Sequence, residues 1–199
     1  MQTLSFNSPK LILASKSPRR KNLLEQVGIS FMLCEADFLE EVKEGERAEK
    51  AALRFSRTKA EIVANKFPQK TVLAADTLGD FEGKILQKPK DLEEAFLMLK
   101  AMAGKTHKIF TAFTILNKAL NKEISQISEA EVLMRPFDEK KIKDYLKTKE
   151  SLDKAGAYAI QGFGASLVKE LRGDFYTVVG LPLFKVITAL EEFNIYPLN

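Results

Sequence analysis

Residues Leu11 to Arg20 read Leu-Ile-Leu-Ala-Ser-Lys-Ser-Pro-Arg-Arg, and this run leaves the backbone few choices. The apolar residues predict a buried strand that ends in small polar side chains. Ser17 suits the N-cap of a following helix, and Pro18 suits its first position, where a missing N–H costs nothing. The helix-terminal N–H groups then face the strand end. An anion placed there meets the positive end of the helix dipole and two guanidinium forks, Arg19 and Arg20, which match phosphate oxygens. The turn is therefore built to hold a polyphosphate. The plainer alternative is a capped helix with two solvated arginines.

A strand–helix start of this kind belongs to a chain able to bury a real core. With 199 residues, 45% hydrophobic and 29% charged, no disulfide or metal staple is needed, and one domain over residues 1–199, in two lobes, is expected. The excess of 31 basic over 27 acidic side chains is small and dispersed, which argues against a nucleic-acid surface while leaving small anionic ligands compatible. Cys34 is the only cysteine and His107 the only histidine, so neither an internal disulfide nor a Cys/His zinc set is available. A reducing cytoplasm is the simplest setting. No run approaches the roughly 18 apolar residues of a membrane span, and the N-terminus lacks a leader pattern.

Helical and extended patterns alternate along the chain, which predicts an α/β class. Leu23, Leu24 and Val27 stripe a short helix that Gly28 terminates. Glu46 to Lys66 reads as a long amphipathic helix ending before Pro68. Thr71 to Ala75 is a buried strand, and Leu78 to Leu86 a hairpin around Glu82-Gly83-Lys84. Asp91 and Glu94 form a capping-box pair ahead of the Phe96, Leu99, Met102 stripe, which Gly104 closes. His107–Leu116 and Glu123–Met134 read as two long strands. Asp138 opens another helix, a Gly-rich stretch runs from Gly156 to Gly164, and a final helix follows Pro182.

The chemistry resides in polar residues near strand ends. Asp76 follows Val72-Leu73-Ala74-Ala75, at the point where a buried strand is expected to emerge and where open α/β sheets bind ligands; the alternative is a turn or N-cap aspartate. Glu40 and Glu41 form an acidic pair on a turn, Lys59 would by default lie on the surface of the long helix, and Lys88 sits in a rigid basic turn before Asp91. The run Asp153-Lys154-Ala155-Gly156-Ala157-Tyr158-Ala159-Ile160-Gln161-Gly162 packs acid, base, glycines and an amide together. Its small side chains let backbone approach a ligand, and Gln161 offers both a donor and an acceptor to a base edge. Val179-Gly180-Leu181-Pro182 and His107 read as structural.

Leu13 to Arg20, Lys59-Ala60, Ala75-Asp76-Thr77, Gly83 to Pro89, Asp153 to Gly162 and Val179 to Pro182 together resemble the Maf family of nucleoside triphosphate pyrophosphatases, in the family's order along almost the whole chain. The resemblance implies a mixed twisted sheet with flanking helices, two lobes around a central cleft, an architecture like that of inosine triphosphate pyrophosphatase, and often a homodimer. It implies hydrolysis of a nucleoside triphosphate to the monophosphate and pyrophosphate with a divalent metal, Mg²⁺ or Mn²⁺. Asp76 matches the general base and a metal ligand, and Glu40 a second metal ligand. Ser15, Arg19, Arg20, Lys59 and Lys88 match the phosphate site. Arg19, Thr77 and Gln161 match specificity positions of the dTTP/UTP branch, which extends to modified pyrimidine nucleotides. Gln87 departs from the small residue usual before Lys88, and Phe38-Leu39-Glu40-Glu41 matches the acidic turn only loosely.

Attack of water on the α-phosphorus builds charge on the bridging oxygens, so a dication, lysines and arginines are required. A carboxylate of ordinary pKa, about 4, suffices as proton acceptor beside a metal, so Asp76 need not be strongly perturbed. The rival reading is a nucleotide-binding regulator of cell division that senses triphosphates without hydrolysis. Such a sensor needs the arginines and Gln161 but not Asp76.

Overall fold

The computed structural model describes residues 10–198, so residues 1–9, on which the leader expectation bears, lie outside it. The chain runs β1 (Leu11–Leu13), α1 (Pro18–Gln26), β2 (Phe31–Leu33), α2 (Ala48–Lys66), β3 (Thr71–Phe81), β4 (Lys84–Leu86), α3 (Leu92–Met102), β5 (Thr106–Asn117) and β6 (Lys122–Met134). It continues with α4 (Glu139–Leu146), short 3₁₀ segments at Ala155–Ala157 and Gly162–Leu167, β7 (Val168–Gly173), α5 (Phe175–Val179) and α6 (Leu183–Glu191). The strands form one mixed sheet in the order β2-β1-β3-β5-β6-β7, with β4 attached to β3. β1 is parallel to both β2 and β3, whereas β3, β5, β6 and β7 run antiparallel in turn.

Side-chain alternation along the strands divides the core. Ile12, Val72, Ala74 and Leu116 face α2, whose Ala60, Val63 and Ala64 let helix and sheet approach closely. Leu11, Leu13, Leu73, Ala75, Phe113 and Ile115 face the other way, onto Leu24 of α1 and Val186 and Leu190 of α6. A separate apolar cluster, built from Leu99, Met102, Ile109, Val132, Met134 and Ile142, packs α3 and α4 near the other end of the long strands. Two lobes result, joined by the continuous β3, β5 and β6.

Thr71–Ala75 and the hairpin arm are a single strand, β3, so Asp76 lies in mid-strand opposite Ala112 rather than at a strand end. The reason is that β3 changes neighbours. On one edge it pairs with β1 over Thr71–Leu73 and with β4 over Gly79–Phe81, while on the other edge β5 follows it throughout. Residues 74–78 therefore sit where the sheet forks, and the fork opens the cleft. Glu82 and Gly83 both have positive φ, 53° and 80°, which turns the β3–β4 hairpin tightly. The short strands β2 and β7 and helix α5 were not anticipated. Helix α5 is initiated by Asp174, whose carboxylate accepts the Tyr176 and Thr177 N–H groups.

Candidate active site

A cleft of about 440 Å³ opens at the fork, and all nine residues singled out in the sequence line it: Ser15, Arg19, Arg20, Glu40, Lys59, Asp76, Thr77, Lys88 and Gln161. Strand parity distributes them. Asp76 points to the α2 side of the sheet, like Ala74, and Thr77 to the α1 side, like Ala75.

On the α2 side, the Lys59 ammonium donates to Asp76 Oδ1 and also pairs with Glu40 Oε1. Lys59 is thus no surface residue; its side chain is only 12% exposed. It falls four residues after Phe55 and seven after Ala52, on the stripe that α2 buries, and at that height the sheet presents Asp76 instead of an apolar side chain. Asp76 itself is 4% exposed. Burial pushes its carboxyl above the ordinary carboxylate range, against the pull of Lys59 and Arg20 and with the help of the Glu40 charge. Desolvation in the sheet interior thus outweighs its cationic neighbours. Glu40 lies at the rim. Partial burial raises its carboxyl, but the hydrogen bond and charge of Lys59 outweigh that and bring it below the usual value.

On the α1 side, Arg20 spans the cleft floor. Its Nε donates to the Gly180 carbonyl at 2.8 Å, and its terminal nitrogens donate to Ser15 Oγ and Thr77 Oγ1, each at 3.1 Å. Gly180 has φ of 117°, and a Cβ there would stand 3.3 Å from Thr77 Oγ1, so the Val179–Pro182 turn owes its glycine to this close approach. Thr77 Oγ1 is 2.8 Å from Thr111 Oγ1, and Thr111 donates to the Thr177 carbonyl at 2.7 Å. Each hydroxyl has one proton. Thr111 spends its own on Thr177, so Thr77 donates to Thr111 and accepts from Arg20, and the direction of the whole chain is fixed. Burial lowers the pKa of Arg20, with the Asp76 charge opposing, yet a guanidinium stays ionised.

The Arg19 side chain makes no hydrogen bond or ion pair among the described residues and lines the same cleft. Ser17 occupies the N-cap position of α1, but its side chain makes no capping bond; its N–H donates instead to Ser15 Oγ at 3.2 Å. The Lys21 N–H reaches the Ser17 carbonyl at 3.3 Å, and the backbone N–H groups of Arg19 and Arg20 are left without an intrahelical acceptor. Lys88, on the segment after β4, and Gln161 complete the far wall, both exposed at the rim.

Lys154, the base of the Asp153–Gly162 run, also belongs to the cleft. Its side chain is 15% exposed, paired with Asp153, and faces the cleft, where Tyr158 and Ile160 also appear. His107 is structural as expected. It is 2% exposed, its Nε2 is 2.8 Å from Tyr158 Oη, and burial lowers its pKa to about 4.

Among the described residues no group of three or more His, Cys, Asp or Glu forms a metal cage. Asp76 and Glu40 nevertheless converge on one ammonium, so two carboxylates stand within reach of a single small cation. That donor set fits a hard dication of the Mg²⁺ type, which is held by one or two carboxylates together with substrate phosphates and water. No helix among the described residues is long and apolar enough to cross a membrane.

Residues 10–193 match the family model described as Maf-like protein. The chain is 42% identical over 189 residues to a dTTP/UTP pyrophosphatase of Acholeplasma laidlawii, covering 94% of this chain and 98% of that one. It is 40% identical to a dTTP/UTP pyrophosphatase of Thermoanaerobacter, with the same coverages, and 41% identical to one of Methanosarcina barkeri, covering 92% and 93%. Among solved structures, the Ham1 protein of Staphylococcus aureus aligns over 79% of each chain at 14% identity with a TM-score of 0.46.

Proposed function

The chain belongs to the Maf-like family, and from that premise we propose that it is a nucleoside triphosphate pyrophosphatase converting dTTP and UTP, and modified pyrimidine relatives, to the monophosphate and pyrophosphate. The observation that carries the reading is the buried Asp76 carboxylate, held by Lys59 beside Glu40 at the fork of the sheet and facing a basic cleft. A protein that only senses nucleotides has no use for a desolvated carboxylate opposite its phosphate site. Hydrolysis does, because water must lose a proton as it attacks.

Arg19, the free N–H groups of α1, Lys88 and the remaining donors of Arg20 bind the triphosphate. Lys59 holds Asp76 with one oxygen engaged and the other free to accept the proton of the attacking water. The water oxygen bonds to the α-phosphorus, the bond from the α-phosphorus to the oxygen of the leaving pyrophosphate breaks, and the cationic groups stabilise the charge that gathers on that oxygen. A divalent cation, Mg²⁺ or Mn²⁺, held by Asp76 and Glu40, would neutralise phosphate charge and make water more acidic when bound. Gln161 reads the pyrimidine edge from the rim. Thr77, matched by resemblance to a specificity position, acts through Arg20, because its hydroxyl is fully engaged by Arg20 and Thr111.

Pyrophosphate release from dTTP, UTP, CTP and GTP with Mg²⁺ or Mn²⁺ tests the reading. Turnover of dTTP and UTP to the monophosphates is expected, and Asp76→Asn should lower kcat by about 10² to 10⁴ in a folded protein. Wild-type turnover by that variant would move the base to another residue.

A further inference from the structure

Glu150 touches no part of the cleft surface, yet it fixes one wall of it. Its Oε1 accepts the N–H of Phe163 and its Oε2 the N–H of Gly164, both at 3.1 Å. The carboxylate thus ties together the two ends of a loop that places Lys154, Tyr158, Ile160 and Gln161 in the cleft. The backbone around this grip is tailored to it. A Cβ on Gly162 would lie 2.4 Å from Glu150 Oε1, and one on Gly164 would lie 2.2 Å from the Ala159 carbonyl oxygen.

The loop has other anchors, but they hold its middle. Gly156 N–H donates to the Gln87 carbonyl at 3.1 Å, and Tyr158 meets His107. Between Tyr158 and the Glu150 clasp lies Gln161, exposed and with no hydrogen bond of its own among the described residues. The position of its amide is therefore set by backbone alone: on one side Ile160 packs against the core, and on the other the first hydrogen bonds are the charge-assisted pair two and three residues further on.

We propose that Glu150 is a positioning residue for base recognition, whose carboxylate clasps the Phe163 and Gly164 amides and so holds Gln161 at the edge of a bound pyrimidine. The proposal deepens the pyrophosphatase reading and rests on it for the identity of the nucleotide. Glu150→Gln is the informative variant, because it keeps the volume and one acceptor oxygen but sets an NH₂ group against one of the two N–H donors.

Amide exchange at Phe163 and Gly164 reports the clasp, and calorimetry with the non-hydrolysable α,β-imido analogues of UTP and GTP reports recognition. In Glu150→Gln, exchange at the two amides should rise about tenfold and affinity for the UTP analogue fall about tenfold, with the GTP analogue changed less than twofold. Adding Glu150→Gln to Gln161→Ala should cost nothing further, since the first acts through the second. An unchanged affinity for the UTP analogue, an equal loss for both nucleotides, or additive effects in the double variant would each overturn the proposal. Wild-type protein that binds the UTP analogue but leaves UTP intact would overturn only the enzyme reading, and one that binds neither analogue would overturn both.

Discussion

Replacing Lys59 by Met retains the aliphatic stem that packs along α2 and removes only the ammonium. Two carboxylates then face each other without their shared partner. Asp76 is 4% exposed and cannot recover its hydration, so removal of its partner falls in the class of broken buried pairs, which cost roughly 3 to 5 kcal/mol. Two features place this site at the low end. Glu40 has a side chain 43% exposed and regains water, so its share is under about 1 kcal/mol, and the Arg20 charge still favours ionised Asp76. A loss of about 3 kcal/mol is expected in urea unfolding at neutral pH, out of a typical total of about 5 to 15. Because the loss arises from an uncompensated charge and not from a cavity, Lys59→Met combined with Asp76→Asn should recover most of it. The double variant neutralises the carboxylate that the first substitution stranded. The reasoning fails if Lys59→Met is as stable as the native protein, or if the double variant is destabilised by the sum of the two single effects.

Thr111→Val should release both Thr77 and the Thr177 carbonyl, lowering stability by about 1 to 3 kcal/mol and weakening triphosphate binding through Arg20. On the proposed role of Arg20 at the phosphates, KM values for dTTP, UTP, CTP and GTP should rise by a common factor; a change confined to pyrimidines would make Thr77 a base contact after all. His107 makes stability pH-dependent. Burial lowers its pKa from the ordinary value, about 6.5, to about 4, so the unfolded chain takes up a proton that the folded protein refuses. The stabilisation is complete above pH about 6.5 and is lost as pH falls toward about 4, amounting to about 3 kcal/mol. His107→Gln should be less stable at neutral pH, and the difference from the native protein should shrink across that window; a difference independent of pH would refute the assignment.

Much of this architecture was legible because the residues concerned obey local rules. Asp91 caps α3 by accepting the Glu94 N–H, and Asp138 caps α4 by accepting that of Lys141. Glu82-Gly83 makes the hairpin, and the long strands carry their alternation. What escaped is non-local. β2 is a three-residue apolar run, Phe31-Met32-Leu33, too short to show a period, and β7 is an edge strand interrupted by Lys169, Glu170 and Arg172. Lys59 sits on the apolar stripe of its helix, which a strict reading of i, i+4 spacing finds, but only the fold places Asp76 opposite it. Arg20 was legible as a residue of the strand–helix turn that lines the cleft, whereas its bridge to Gly180 spans 160 residues of sequence. Glu150 resembles any solvated acid until the Gly162 turn brings two amides onto its carboxylate.

In the proposed reaction, water attacks the α-phosphorus of a pyrimidine triphosphate. Hydrolysis of UTP in ¹⁸O-water, followed by mass spectrometry of the products, tests it directly. The account predicts one ¹⁸O atom in the UMP and none in the pyrophosphate. Label in the pyrophosphate, or UDP as the first product, would place the attack elsewhere and contradict the roles assigned to Asp76 and Lys59.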